Sequence, residues 1–220
     1  ALPGVRGATA LYLGASGMCW TLSDQSAQCE GMNAWGVLGE LAPERRPAPT
    51  DRWEGAFRAR GVPGWERVTH VAIGGWQACA LHSDGSVRCV GDNTRGGLGA
   101  PLTLTRGAPR PIDGLTGVTD LRAGAFHTLA RTASGAVFAW GMDQPGGLNL
   151  NAPTGRYTGQ FVESTTPRAI AALSGATVLE AESAFTACIA QGPLAEFDKA
   201  LQDNVIAKGC QLALAQAQNR

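Results

Sequence analysis

The sequence predicts an all-β fold: a partial β-propeller of about three and a half four-stranded blades, with a helical tail at the C-terminus. Three observations carry that reading. One plan recurs along the 220 residues, in Gly14–Gly39, Gly74–Gly99 and Gly124–Asn149, and Ala184–Ala190 opens it a fourth time. Steps of 60 and then 50 residues mark a supersecondary unit used repeatedly. Each unit also breaks into short apolar stretches between turns rich in glycine and proline, which suits a propeller blade better than a helical solenoid. Finally, equivalent positions match in chemistry, cysteine pairs included. The expected blades are residues 8–64, 65–114 and 115–172, with a half blade at 173–190 and the tail at 191–220.

Each unit opens with an apolar strand, carrying Leu11 and Leu13, then Val71 and Ile73, then Val118 and Leu121. After a glycine, a second strand bears Cys19, Cys79 or Leu129 at one matched position. A turn leads to a third strand bearing Cys29, Cys89 or Ala139. In the middle unit the turn is Ser83-Asp84-Gly85, and Asp-Gly between alternating strands is a strong hairpin signal. Next stands Gly31, Gly91 or Gly141, then a loop closing on Leu38-Gly39, Leu98-Gly99 or Leu148-Asn149. Asparagine in place of the last glycine fits a residue held at positive φ. The spacers match too: Pro109-Arg110-Pro111-Ile112 is echoed by Pro167-Arg168-Ala169-Ile170.

The run Cys79-Ala80-Leu81, Asp84-Gly85, Val87-Arg88-Cys89, Gly91-Asp92-Asn93 and Gly96-Gly97-Leu98-Gly99 resembles the regulator of chromosome condensation repeat. The resemblance extends over roughly Ala8 to Ala190. It comprises two strong units, one degenerate unit and one half unit. Its cysteine-bearing form is similar to versions found in secreted bacterial proteins. The resemblance implies a β-propeller, usually of seven blades, that serves mostly as a binding platform.

Formal net charge is zero and 44% of the residues are apolar. Neutral balance gives no electrostatic reason to expect nucleic acid or an anionic membrane as partner. No apolar run reaches the roughly 18 residues that a spanning helix needs. The first residue is Ala1 rather than Met, which fits signal-peptide removal after a small residue and equally an incomplete chain.

Cys19 and Cys29 stand ten residues apart, as do Cys79 and Cys89, each pair centred on a turn at Asp24 or Asp84. Antiparallel strands pairing about that centre put the cysteines opposite each other, at disulfide distance. The third unit replaces the pair with Leu129 and Ala139, which argues for structural crosslinks rather than a metal or catalytic site. Each such loop contributes on the order of 2–3 kcal/mol. Two matched pairs imply an oxidising compartment, periplasmic or extracellular; small buried thiols in a cytosolic protein are the alternative.

Cys188 repeats the second-strand position without a partner ten residues on. Gly192-Pro193 instead starts a helical pattern in which Leu194, Phe197, Leu201 and Val205 form one apolar stripe. Gly209 interrupts it and Cys210 follows, so a Cys188–Cys210 bond would staple the helix across the unfinished blade. Three and a half blades do not close a ring, and an open end exposes apolar strand faces. The chain is then part of a longer polypeptide, or two copies combine into one ring, or the helix and a partner subunit cover the open face.

Catalytic signatures are missing. The sequence holds no Gly-x-Ser-x-Gly elbow, no phosphate-binding loop of the Walker type and no His-Glu-x-x-His pair. Gly96-Gly97-Leu98-Gly99 recurs in the other units and is read as a blade-closing turn. The histidines are His70, His82 and His127. His127 aligns with Gln77 and, with a shift, Met18, so no imidazole position repeats. His82, beside a turn, is expected to be solvated, and His70 to be a surface or inter-blade residue. Asp92 and Asp143 follow their blade glycines, weak grounds for calcium. No cofactor or metal is expected.

Binding surface is the better target. Trp76 aligns with Phe126 and Phe185 and reads as blade packing, whereas Trp35 lies in a variable loop, a natural interface anchor. The insertion from Glu40 to Gly64 carries Arg45, Arg46, Trp53, Phe57, Arg58 and Arg60, offset by Glu40, Glu44, Asp51 and Glu54. A second irregular loop, from Asn149 to Thr166, carries Arg156, Tyr157 and Phe161. Long loops on a rigid scaffold commonly carry recognition. The tail stripe of Leu194, Phe197 and Leu201 adds a third candidate surface. The expected function is a non-catalytic protein-binding or assembly subunit outside the cytoplasm, with other protein subunits, or a second copy, as partners. A lectin-like carbohydrate-binding module and an enzyme-inhibitor-like binder are the alternatives. Disulfides, neutral charge and too few blades argue against nucleotide exchange.

Overall fold

Thirteen strands form among the described residues and fall into four antiparallel sheets in chain order. The structure, a computed structural model, describes residues 5–32, 36, 55–102, 109–143, 162–170, 178–182 and 186–190. At residues 32, 55–60, 143, 162–163, 178, 180, 182 and 186–190 it describes the backbone alone. Blade 1 is β1 (Ala10–Gly14), β2 (Gly17–Thr21), β3 (Ala27–Met32) and β4 (Gly55–Gly61), paired in that order. Blade 2 is β5 (Val68–Ile73), β6 (Gln77–His82) and β7 (Val87–Gly91). Blade 3 is β8 (Val118–Ala123), β9 (His127–Thr132), β10 (Val137–Asp143) and β11 (Val162–Ala169). β12 (Val178–Glu182) and β13 (Thr186–Ala190) pair as the two-stranded start of a fourth blade. The expected helical tail lies outside the described residues.

The hairpins hold one register. Cys19 pairs with Cys29, Cys79 with Cys89 and Leu129 with Ala139. Their turns repeat as well: Asp24 accepts from the backbone N–H and hydroxyl of Ser26, and Asp84 does the same with Ser86. Gly85 and Gly135 supply the left-handed residue that closes the turn, a place held in blade 1 by Gln25. Blade 2 departs at its fourth strand, which shrinks to one bridge between Arg88 and Pro111. Pro109 and Pro111 have no N–H to extend a ladder. The spacer echo survives in hydrogen bonds: Ile112 donates to Val87 (3.0 Å) and Ile170 to Val137 (2.9 Å).

The opening strands β1, β5, β8 and β12 lie side by side, so the blades stack in a row with the core between consecutive sheets. One face of blade 1, with Cys19, Ala27, Cys29 and Val62, packs on Val71, Ile73, Ala78, Ala80 and Val90 of blade 2. The opposite face of blade 2, with Cys79, Val87, Cys89 and Ile112, packs on Leu121, Ala130 and Trp140 of blade 3. Leu129, Val137 and Ala139 meet Leu179 in the same manner. Each blade thus has an upstream face for its predecessor and a downstream face for its successor. Alternation along the strands decides which residues go where.

Glycines mark the points of closest approach. A Cβ on Gly14 would fall 2.2 Å from the carbonyl oxygen of Ile73, and one on Gly74 would fall 2.4 Å from that of Gly124. The glycine after each opening strand is therefore where one blade's backbone abuts the next.

Candidate functional site

Polar groups gather in two places on this scaffold. The first is the row of opening strands. Tyr12 donates its hydroxyl to the carbonyl of Thr69 (3.0 Å), and its ring meets His70 edge to face at 4.9 Å. From blade 3, the Arg122 guanidinium approaches His70 Nε2 at 3.3 Å, donates to the carbonyl of Leu121 and pairs with Asp120 at 2.5 Å. Asp120 lies 3.8 Å from Arg131 as well. A contact in which Arg122 donates fixes Nε2 as an acceptor, so His70 is neutral. Burial is the main cause that lowers its pKa and the Arg122 charge adds to it, against the opposing pull of Asp120. The line runs across three blades, Tyr12 to His70 to Arg122, and straps them together.

The second place is the loop after β7. Asn93 accepts from the Leu98 N–H (3.1 Å) and donates to the carbonyls of Ala100 (3.1 Å) and Pro101 (3.0 Å). Asp92 accepts from the Thr94 backbone and hydroxyl. Gly97 offers its carbonyl to Trp140 Nε1 at 3.1 Å, and a Cβ on Gly96 would fall 2.8 Å from the Ser164 oxygen. The glycine run is thus a blade-to-blade seat, and the Asp92 carboxylate is engaged within its own loop. Among the described residues no group of three His, Cys, Asp or Glu side chains could hold a metal ion.

The histidines correct two expectations. His82 is buried rather than solvated. Its Nδ1 donates to the Glu66 carbonyl (2.7 Å), because residues 62–66 fold back over the hairpin end. Burial lowers its pKa. The partner of His127 in blade 1 is Gly17, not Met18, since Gly17, Gln77 and His127 pair respectively with Gly31, Gly91 and Gly141. His127 is buried and its pKa falls to about 4 through desolvation. The aromatic alignment has a structural counterpart: Trp76 and Phe126 meet edge to face at 4.8 Å across the blade 2–blade 3 joint.

The cysteines Cys19–Cys29 and Cys79–Cys89 are disulfide-bonded, each with Cα atoms 4.0 Å apart. Cys188 has only its backbone described, opposite Glu180, and Cys210 lies outside the described residues. Trp35, Arg45, Arg46, Trp53, Tyr157, Phe161, Leu194, Phe197 and Leu201 likewise lie outside them. Phe57 and Arg58 fall in β4 with backbone alone described. Two features were missed in the sequence. One is the Tyr12–His70–Arg122 line, signalled by charged residues inside opening strands. The other is an exposed apolar pair on β1, Leu11 and Leu13.

Comparison with known proteins agrees with this architecture. Residues 68–96 and 118–144 match the Regulator of chromosome condensation (RCC1) repeat. The probable E3 ubiquitin-protein ligase HERC3 of Homo sapiens is 34% identical over 39% of this chain and 8% of its own length. The ultraviolet-B receptor UVR8 of Arabidopsis thaliana is 33% identical over 45% of this chain and 23% of its own. Protein RCC2 of Homo sapiens is 30% identical over 56% and 25%. The chain therefore spans a quarter or less of these curated relatives. Among solved structures, Prp20p of Saccharomyces cerevisiae superposes with a TM-score of 0.66 at 15% identity. The superposition takes in 82% of this chain and 43% of Prp20p. Human WBSCR16 superposes at 0.58 with 20% identity, over 80% and 42%. The chain thus carries regulator of chromosome condensation repeats at residues 68–96 and 118–144, on a fold shared with Prp20p.

Proposed function

We propose that this chain is a non-catalytic protein-binding scaffold, a subunit of an assembly outside the cytoplasm. The observation that carries the reading is the use of its polar groups. Within the described blades they are engaged by the scaffold itself, as Arg122 is with His70 across a blade joint and Asn93 is within its own loop. What is left for recognition lies outside the described side chains: Trp35 in its variable loop, the insertion with Trp53 and Arg58, the loop with Tyr157 and Phe161, and the sequence stripe of Leu194, Phe197 and Leu201. Support comes from Prp20p, whose structure is described together with binding to Gsp1p and histones, and from a complex of Kap60 with yeast RCC1 (Prp20). The two disulfides favour an oxidising compartment. No helix of the described residues is long and apolar enough to cross a membrane.

The test is the native, non-reduced mass of the protein isolated from its source, with every co-purifying chain identified. A stable complex with a different protein, weakened by Trp53→Ala, is expected. A free chain that instead binds defined glycans on an array would replace this reading with the lectin-like one.

A further inference from the structure

We infer that His70 is an acid-released clasp: neutral, it ties blade 2 to blade 3 through Arg122, and on taking a proton it opens that joint along the opening strands. The inference holds whatever the scaffold binds. Arg122 Nη1 lies 3.3 Å from His70 Nε2, 2.9 Å from the Leu121 carbonyl oxygen and 2.5 Å from Asp120 Oδ1. A guanidinium nitrogen with two hydrogens thus faces three acceptors, and of these only His70 belongs to another blade. The same imidazole meets the Tyr12 ring of blade 1 at 4.9 Å, so it sits where three sheets come together.

A proton on Nε2 turns the acceptor into a charged donor aimed at a guanidinium. The neighbouring acceptors are already committed. The Leu121 carbonyl receives Arg122, and Asp120 Oδ1 receives both Arg122 and the Leu121 N–H (3.0 Å). The second Asp120 oxygen lies 3.8 Å from Arg131 of β9. Strands β1, β2, β6 and β8 pack against β5. From them Tyr12 on β1, and Asp120 and Arg122 on β8, are the titratable or charged groups that face His70. β2 brings none, since Cys19 is disulfide-bonded; on β6 Cys79 is bonded too, and His82 stands opposite Val68 rather than His70. Asp120 favours a charged imidazole, but burial and Arg122 outweigh it. Protonation therefore favours an arrangement in which the imidazole meets water, and opening sets in below roughly pH 6.5.

The backbone supplies its own reporters. The Gly75 and Trp76 amides donate to the Ala125 carbonyl across the same joint, at 2.9 and 3.3 Å, so their exchange reads its opening. The experiment follows that exchange in the full chain by NMR, corrected for the intrinsic effect of pH, beside the imidazole signals of His70. Between about pH 7.5 and pH 5 the two amides should speed up about tenfold relative to the β6–β7 hairpin, in step with the His70 titration. His70→Gln keeps an acceptor for Arg122 but takes no proton, so the gain should vanish, while His127→Gln should leave it in place. Arg122→Gln should raise the His70 midpoint by removing a like charge, and it probes the contact even where the His70 variant folds poorly. A gain that survives His70→Gln overturns the inference. So does one shared equally by the β6–β7 hairpin, or a His70 midpoint indifferent to Arg122→Gln.

Discussion

Gln77 reaches out of blade 2 to donate its side-chain N–H to the backbone carbonyl of Gly124 in blade 3, 3.3 Å away. The same Nε2 lies 3.1 Å from the His127 carbonyl. In blade 1 the neighbouring Ser16 makes the matching reach, donating to the Gly74 carbonyl at 2.8 Å. These bonds place side-chain donors on the backbone that the repeat glycines leave open.

Adding a methyl group at that joint should therefore be costly. Gly74→Ala puts its Cβ 2.4 Å from the Gly124 oxygen and 2.7 Å from Gln77 Nε2. Backbone cannot yield as a flexible side chain does, so a loss of about 3 kcal/mol is expected in urea unfolding. Gly114→Ala, where a Cβ meets nothing, is not a neutral control, because its φ is +74°. The better comparison is Gly61→Ala, with open space and no positive φ.

Arg67 stands at φ +55°, where the corresponding residues, Gly7 and Gly117, are glycines at +66°. Its guanidinium lies 3.4 Å from Asp84 with both side chains well exposed, an arrangement that contributes little. Arg67→Gly should thus be neutral or stabilising by up to about 1 kcal/mol, measured by chemical denaturation. A clear loss of stability would show that the Arg67–Asp84 pair matters more than its exposure implies.

Acid should loosen the stack through its histidines. His127 titrates at about 4 when folded, against roughly 6.5 when unfolded. Between those values the unfolded chain binds more protons. The stabilising contribution is present above pH 6.5 and is lost as pH falls toward 4, amounting to about 3 kcal/mol at most. His82 and His70, also lowered, act in the same direction. His127→Gln installs the residue blade 2 uses there and should flatten the melting temperature between pH 6.5 and 4.

Reading the sequence succeeded where chemistry was local. The Cys79–Cys89 pairing, the Asp84 turn and the Ile112–Ile170 equivalence each depend on a dozen residues or on direct repetition. It failed where a distant segment decides the outcome. His82 is buried because the Glu66 carbonyl arrives from beyond the hairpin. His70 finds Tyr12 and Arg122 only once three blades stand in a row. The one-residue error at Met18 arose because β2 opens on Gly17, which shows no side chain to align.

Replacing the cystine of blade 2 with the pair blade 3 uses offers a direct test of its role. Cys79→Leu with Cys89→Ala should fold, retain the hairpin register and lose about 2–3 kcal/mol. Cys79→Ser with Cys89→Ser should lose more, because the position faces Leu121, Ala130 and Trp140. Thermal melts of both, with and without reductant, make the comparison.

The cystines also impose an order of events. Cys19, Cys29 and Cys79 are fully buried and Cys89 nearly so, each pair sealed beneath the sheet that follows it. An oxidant needs access to the sulfur atoms, and access ends when the next blade lands. Each bond must then close before the following blade lands on it, and once capped it lies beyond reach of thiols in solution. A thiol-blocking reagent should arrest refolding if added before stacking and have no effect once the row is complete.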